Sequence, residues 1–196
     1  MKIFAIDTTS HHGSIAISDG ERVVEEVALP TGDGFDHILF AEIESLLKRH
    51  RLALTDIDAF ASASGPGTFT GVRVGLTVVK GLAEATARKV IAVSNLKAMA
   101  WFGSRELRAP WIDARRGDIY GALYDSSLNL VRDEVVMKHD AWLASLPVGA
   151  EILSDPRLLA GAIATIASTA TMIDPAAVDA NYVRRSDAEQ MWKDAP

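Results

Sequence analysis

Two short stretches hold the residues best suited to chemistry. In "IDTTSHHGSIAISD" (Ile6–Asp19), Asp7 is followed by Thr8, Thr9 and Ser10. In "IDARRGDIYGALYD" (Ile112–Asp125), Asp113 is followed by Arg115 and Arg116. Hydroxyls and backbone N–H groups in a tight turn can hold phosphate oxygens, and an aspartate beside them can hold a magnesium ion through water. Asp7, Thr8, Thr9, Asp113 and Arg115 are therefore candidate phosphate or nucleotide contacts. The same residues also suit a structural role, an Asx or Ser/Thr turn that closes a hairpin. Residue type alone leaves both readings standing.

Other chemistries are poorly served. The chain has no cysteine, hence no thiolate zinc site, cysteine nucleophile or disulfide framework. His11, His12, His37, His50 and His139 include no pair at helical spacing, so the two-histidine helix of metalloproteases is absent and no metal site is expected. Neither a Gly-x-Ser-x-Gly elbow nor a Walker lysine motif occurs. A net charge of −6 over 196 residues argues against a broad basic surface for nucleic acid. The opening "MKIFAIDTTS" is too short in its apolar run for a signal peptide, and no run approaches a membrane span. A cytoplasmic protein with no membrane partner is expected.

The elements that must position these residues follow from period. Lys2–Thr8, Gly13–Asp19 and Arg22–Leu29 read as three meandering strands, with Asp19-Gly20 as turn residues. Asp36–Arg51 switches to helical period with Leu39, Ile43, Leu46 and Leu47 on one face. Ile57–Ser64 and Val90–Val93 are further strands around a helix at Phe69–Arg88. Ser94–Arg108 reads as a linking helix capped by Ser94. The second half opens as the first does, then gives a strand (Val131–Lys138), a short helix (Asp140–Leu146), a strand (Glu151–Ser154) and a helix (Pro156–Ser168). The shared Ile-Asp openings predict two α/β lobes of like topology, residues 1–95 and 96–196, with the polar tail from Asp179 over the surface. Proteins built this way hold ATP between the lobes. Here the helix after Asp155-Pro156 lacks the glycine pair that lets a nucleotide ring approach, so strong independent ATP hydrolysis is not expected.

The helix after "SGPG" is unusual. Arg73, Thr77, Lys80, Glu84 and Arg88 form one narrow polar stripe, and the rest of the circumference is apolar. Gly71 and Gly75 share a face, and helical glycine costs up to about 1 kcal/mol, so they need a packing reason. The pattern predicts a protein–protein interface built from Leu39, Ile43, Leu46 and Leu47 on the first helix with Gly71, Val72, Gly75, Leu76, Val79 and Leu82 on the second. The alternative is a central helix covered within its own domain.

The stretches "MKIFAIDTTS", "SGPGTFTGVRVG", "AVSNLKAMA", "WIDARRGDIYGALY" and "YVRRSDAEQMWKD" together resemble the bacterial TsaB (YeaZ) family, relatives of the TsaD transferase. That resemblance implies the two-lobed actin-like ATPase (sugar kinase/heat-shock/actin) fold with duplicated lobes, the second shortened. It implies a non-catalytic scaffold or activator in the transfer of threonylcarbamoyl to N6 of adenosine 37 of tRNAs that read ANN codons. The implied partners are a TsaD-like catalytic subunit bound through Asp36–Arg51 and Phe69–Arg88, a TsaE-like ATPase, and tRNA through the complex, with ATP or ADP at the partner interface as the one candidate cofactor. Two rival readings are an actin-fold phosphotransferase using Asp7 and Asp113, and a homodimeric regulatory protein that pairs through the same helices.

Overall fold

The computed structural model describes residues 1–30, 35, 37–154 and 156–183. Asp36 and the polar tail from residue 184 onward lie outside those residues. Strands β1 (Lys2–Asp7), β2 (Ser14–Asp19) and β3 (Arg22–Ala28) form an antiparallel meander. Gly20, at φ 59°, supplies the left-handed residue of the turn between β2 and β3. Helix α1 (Leu39–Arg49) leads to β4 (Ala59–Ala63), and α2 (Phe69–Thr86) leads to β5 (Lys89–Val93). The order is β3-β2-β1-β4-β5, with β4 parallel to β1 and β5 parallel to β4.

After α3 (Asn95–Ala100), the second half repeats this plan. Its strands β6 (Leu107–Asp113), β7 (Asp118–Asp125) and β8 (Leu130–Lys138) meander, and α4 (His139–Ser145) leads to β9 (Glu151–Leu153). The order β8-β7-β6-β9, with β9 parallel to β6, matches β3-β2-β1-β4 position for position. No counterpart of β5 follows among the described residues. The architecture is therefore a duplicated α/β plan with a shortened second sheet.

Two elements differ from expectation. The linking helix stops at Ala100, where Arg108 Nη1 donates to the Ala100 carbonyl (3.2 Å) and Glu151 accepts from the N–H groups of Ser104 and Arg105 (2.7 and 2.8 Å). Those bonds turn the chain into β6 instead of another helical turn. Ser94 does cap α3, accepting from Leu96 N and Lys97 N. Helix α5 spans Ala160–Ala167 rather than starting at Pro156. Its first N–H groups are met by the first sheet: Ala160 N donates to Ser14 Oγ (3.0 Å) and Gly161 N to Glu26 Oε1 (2.9 Å).

The first sheet is covered on both faces, and side-chain size sorts the covers. Alternation sends Phe4, Ile6, Ile15, Ile17 and Phe60 toward α1 and α2. The opposite face carries Ala5, Ala16, Ala59, Ala61 and Ala63, and the alanine-rich α5 and α3 pack there. Small residues on both sides let helix and sheet approach closely and still fill space. A return segment then runs back over the first lobe. Ile173 bridges Val90 through reciprocal bonds of 2.9 and 3.0 Å, and Asn181 N donates to the Ser64 carbonyl (2.7 Å).

Candidate functional site

The Asp7 turn is a sealed hydrogen-bond network. Asp7 is 0% exposed, and its Oδ1 accepts from Thr9 N (2.9 Å) and Thr9 Oγ1 (2.6 Å). Thr9 Oγ1 in turn accepts from Asn95 Nδ2 (2.6 Å), while Asn95 Oδ1 accepts from Gly65 N (2.9 Å). Thr8 Oγ1 donates to the Gly71 carbonyl (2.7 Å), and Thr68 N donates to the Thr9 carbonyl (2.8 Å). Both hydroxyls are spent on the protein itself. Among the described residues Asp7 Oδ2 has no hydrogen-bond partner. Burial pushes the Asp7 carboxyl above the ordinary aspartate range, and the charge of Glu26 adds to the rise against the bonds from Thr9.

Asp113, in the matching place on the second sheet, makes the same local bond. Its Oδ1 accepts from Arg115 N (2.8 Å), but the residue is exposed. The turn it closes holds Arg115, Arg116 and Gly117 at positive φ (69°, 57° and 76°). In both hairpins the aspartate closes an Asx turn.

These residues do not fit a nucleotide on the Asp7 side. The carboxylate is out of reach of solvent and the Thr8 and Thr9 hydroxyls are committed. Glu26 already occupies the N-terminus of α5, where a phosphate would otherwise be drawn. A methyl group on Gly161 would lie 2.7 Å from Glu26 Oε2, so even the space beside that helix end is taken. Among the described residues no group of three or more histidine, aspartate or glutamate side chains could hold a metal ion.

The helix pair requires a correction. Leu39, Ile43, Leu46, Leu47, Val72, Leu76, Val79 and Leu82 are 0–9% exposed and belong to the chain's own core, and Gly71 and Gly75 are buried with them. All ten are engaged in packing within the chain itself. The backbone that Gly71 admits is that of β1's end: an added Cβ would overlap the Thr8 carbonyl oxygen and lie 2.5 Å from Thr68 Oγ1. At Gly75 it would lie 2.8 Å from Ser62 Oγ and 2.9 Å from Thr8 Oγ1. The glycines serve internal close packing.

What the two helices do present is a different stripe. Phe40 on α1 (61% exposed) and Phe69 on α2 (52%) flank a groove of about 430 Å³, with Val74, Val78 and Arg73 along it. The strongest apolar periodicity marks the core face, so this stripe is hard to see in the sequence. The legible signal was an excess: Val74 and Val78 are apolar residues beyond what one buried face of α2 needs. Leu39, at the base of the groove, is itself buried. Among the described residues no helix is long and apolar enough to cross a membrane.

The paired mixed sheets with their repeated meander define a two-lobed α/β protein of the actin-like ATPase fold. The solved structure of YeaZ from Pseudomonas aeruginosa superposes with a TM-score of 0.78, covering 92% of this chain and 99% of that one at 23% identity. The family model described as "TsaD: tRNA N6-adenosine threonylcarbamoyltransferase" matches residues 33–168, and the chain belongs to that family. Among curated relatives, the tRNA threonylcarbamoyladenosine biosynthesis protein TsaB of Bacillus subtilis is 35% identical over 152 residues, covering 74% of this chain and 66% of the relative. TsaB of Escherichia coli is 37% identical over 135 residues, covering 66% and 57%. The chain thus spans just under two thirds of the length of the first relative and less of the second.

Proposed function

We propose that this chain is the TsaB-type, non-catalytic subunit of the assembly that transfers threonylcarbamoyl to N6 of adenosine 37 in ANN-decoding tRNAs, and that it docks a TsaD-type transferase on the α1–α2 groove. The observation that carries the reading is the exposed Phe40–Phe69 stripe with Val74 and Val78 between. A groove edged by two half-exposed phenylalanines leaves apolar surface that a partner helix would bury. Membership of the family of the transferase supports a partner of the same fold, whose own helix pair would meet this one face to face. The sealed Asp7 supports the assignment of the chemistry, and of any ATP or ADP, to the partner chains. In this reading a TsaE-type ATPase and the tRNA join through the complex. The phosphotransferase alternative loses its acid, because Asp7 has neither solvent access nor free hydroxyl neighbours.

The test mixes the purified chain with the TsaD-type protein of the same organism and measures mass by light scattering. A one-to-one complex is expected, and Phe40→Glu should abolish it while leaving the fold intact, since Phe40 is exposed. A complex that forms equally well with Phe40→Glu removes the groove from the proposal. Self-association of the chain alone that Phe40→Glu also abolishes, with no mixed complex at any concentration, favours the homodimer.

A further inference from the structure

Two side chains that line the groove, Phe69 and Arg73, are held from outside the helix pair. The guanidinium of Arg73 lies 3.8 Å from the centroid of the Phe69 ring. Arg73 Nε donates to Tyr182 Oη at 3.0 Å, and the Tyr182 ring stacks on Phe69 with centroids 6.0 Å apart and planes 29° apart. Tyr182 arrives from the return segment, 109 positions away from Arg73 in the chain. Its neighbour Asn181 fixes that segment at two points: the backbone N–H donates to the Ser64 carbonyl (2.7 Å), and Nδ2 donates to Glu134 Oε2 (2.6 Å). Glu134 stands on β8 of the second sheet and also accepts from Ser94 Oγ and from Tyr124 Oη (3.2 Å). Lys80 Nζ adds a bond from α2 to the Val178 carbonyl (2.9 Å).

Phe69 is 52% and Tyr182 48% exposed, so about half of each residue still faces water in the isolated chain. What the contacts do is order an arginine and two aromatic rings, the residue types that dominate association energies, before anything docks. Ordering such side chains beforehand lowers the entropic cost of binding.

We propose that Tyr182 is a positioning residue for the docking face: it holds Arg73 and Phe69 in the geometry that the TsaD-type partner engages, and the Asn181–Glu134 bond makes that geometry depend on the second sheet. The inference rests on the docking reading above, and its test separates the two. With the full chain and the TsaD-type protein, calorimetric Kd values and melting temperatures are measured for Tyr182→Ala, Tyr182→Phe, Arg73→Ala, Asn181→Ala and the Tyr182→Ala/Arg73→Ala double variant. Tyr182→Ala is expected to weaken binding about tenfold and Tyr182→Phe, which keeps the stack, about threefold. The double variant should lose far less than the product of the single losses, because both act through one cluster. Asn181→Ala should weaken binding in the same direction. All the single variants should melt within about 3 °C of the parent chain. Binding by Tyr182→Ala within about twofold of the parent, with Phe40→Glu still disruptive, overturns the positioning role and leaves the docking reading standing. Multiplicative losses in the double variant also overturn it, since Tyr182 then acts apart from Arg73. An unchanged Asn181→Ala removes the link to the second sheet. Indifference of the complex to Phe40→Glu removes the docking reading and this inference with it.

Discussion

The β1–β2 and β6–β7 hairpins start from the same Ile-Asp, and each aspartate accepts from the backbone N–H two residues on, at 2.9 and 2.8 Å. Their surroundings diverge. Over Asp7 lie the N-terminus of α2, the Gly65–Gly67 loop and the side chain of Asn95, and Asp7, Thr8 and Thr9 are all buried beneath them. Among the described residues nothing covers Asp113 in this way. The helix that follows β9 packs on the first sheet instead of the second, drawn by the alanine face and by Ser14 and Glu26. Local sequence sets the turn in both halves, and what packs over it decides whether the aspartate is a structural buried group or an open one.

The sharpest way to break this contrast is Gly71→Ala, because α2 can cover the first hairpin only while position 71 has no side chain. The added methyl would overlap the Thr8 carbonyl, which is backbone and cannot move aside. A loss of about 3 kcal/mol or more in urea unfolding is expected, or failure to fold. A loss below about 1 kcal/mol would show that the cover is loose. Next in size is the pair Asp7→Ala and Asp113→Ala. The first strips two buried donors of Thr9 of their acceptor, at about 2–4 kcal/mol, whereas the second, in water, should cost no more than about 1 kcal/mol. Equal losses would mean the two turns carry equal weight.

The smallest effect is in pH. Since burial raises the folded-state pKa of Asp7, its favourable contribution is full below the ordinary aspartate value of 3.8 and is lost as pH rises through the raised value. Asp7→Asn does not titrate there, so its melting temperature should improve relative to the parent as pH rises from about 4 to about 7. A difference independent of pH would place the carboxyl in contact with solvent.

Much of the fold was legible because it rests on local pattern. Alternation in "KIFAID" and "SIAISD", the Asp19-Gly20 turn and the Ser94 cap all act within a few residues, and the repeated Ile-Asp opening carried the duplication. The candidate site was less legible. The buried stripe of α2 and an interface stripe both read as apolar residues at helical spacing, so pattern could not tell Leu76 from Val78. The Arg73–Phe69–Tyr182 cluster joins positions too far apart for any window to see. The start of α5 is not legible locally, because Ser14 and Glu26, which meet its first N–H groups, come from another part of the chain.

That last feature also dictates a timetable. Ala160 meets Ser14 across 146 positions, Gly161 meets Glu26 across 135, and Lys80 meets Val178 across 98. While the ribosome is still adding residues before α5, the alanine face of the first sheet has only α3 to lie against. Contacts of such separation slow the search for the native state and leave an apolar surface open to wrong partners during synthesis. The first sheet is thus covered by a helix made well after its own strands, and Tyr182 reaches Arg73 and Phe69 later still. A nascent chain cannot set Arg73 and Phe69 against Tyr182 until its own core is closed.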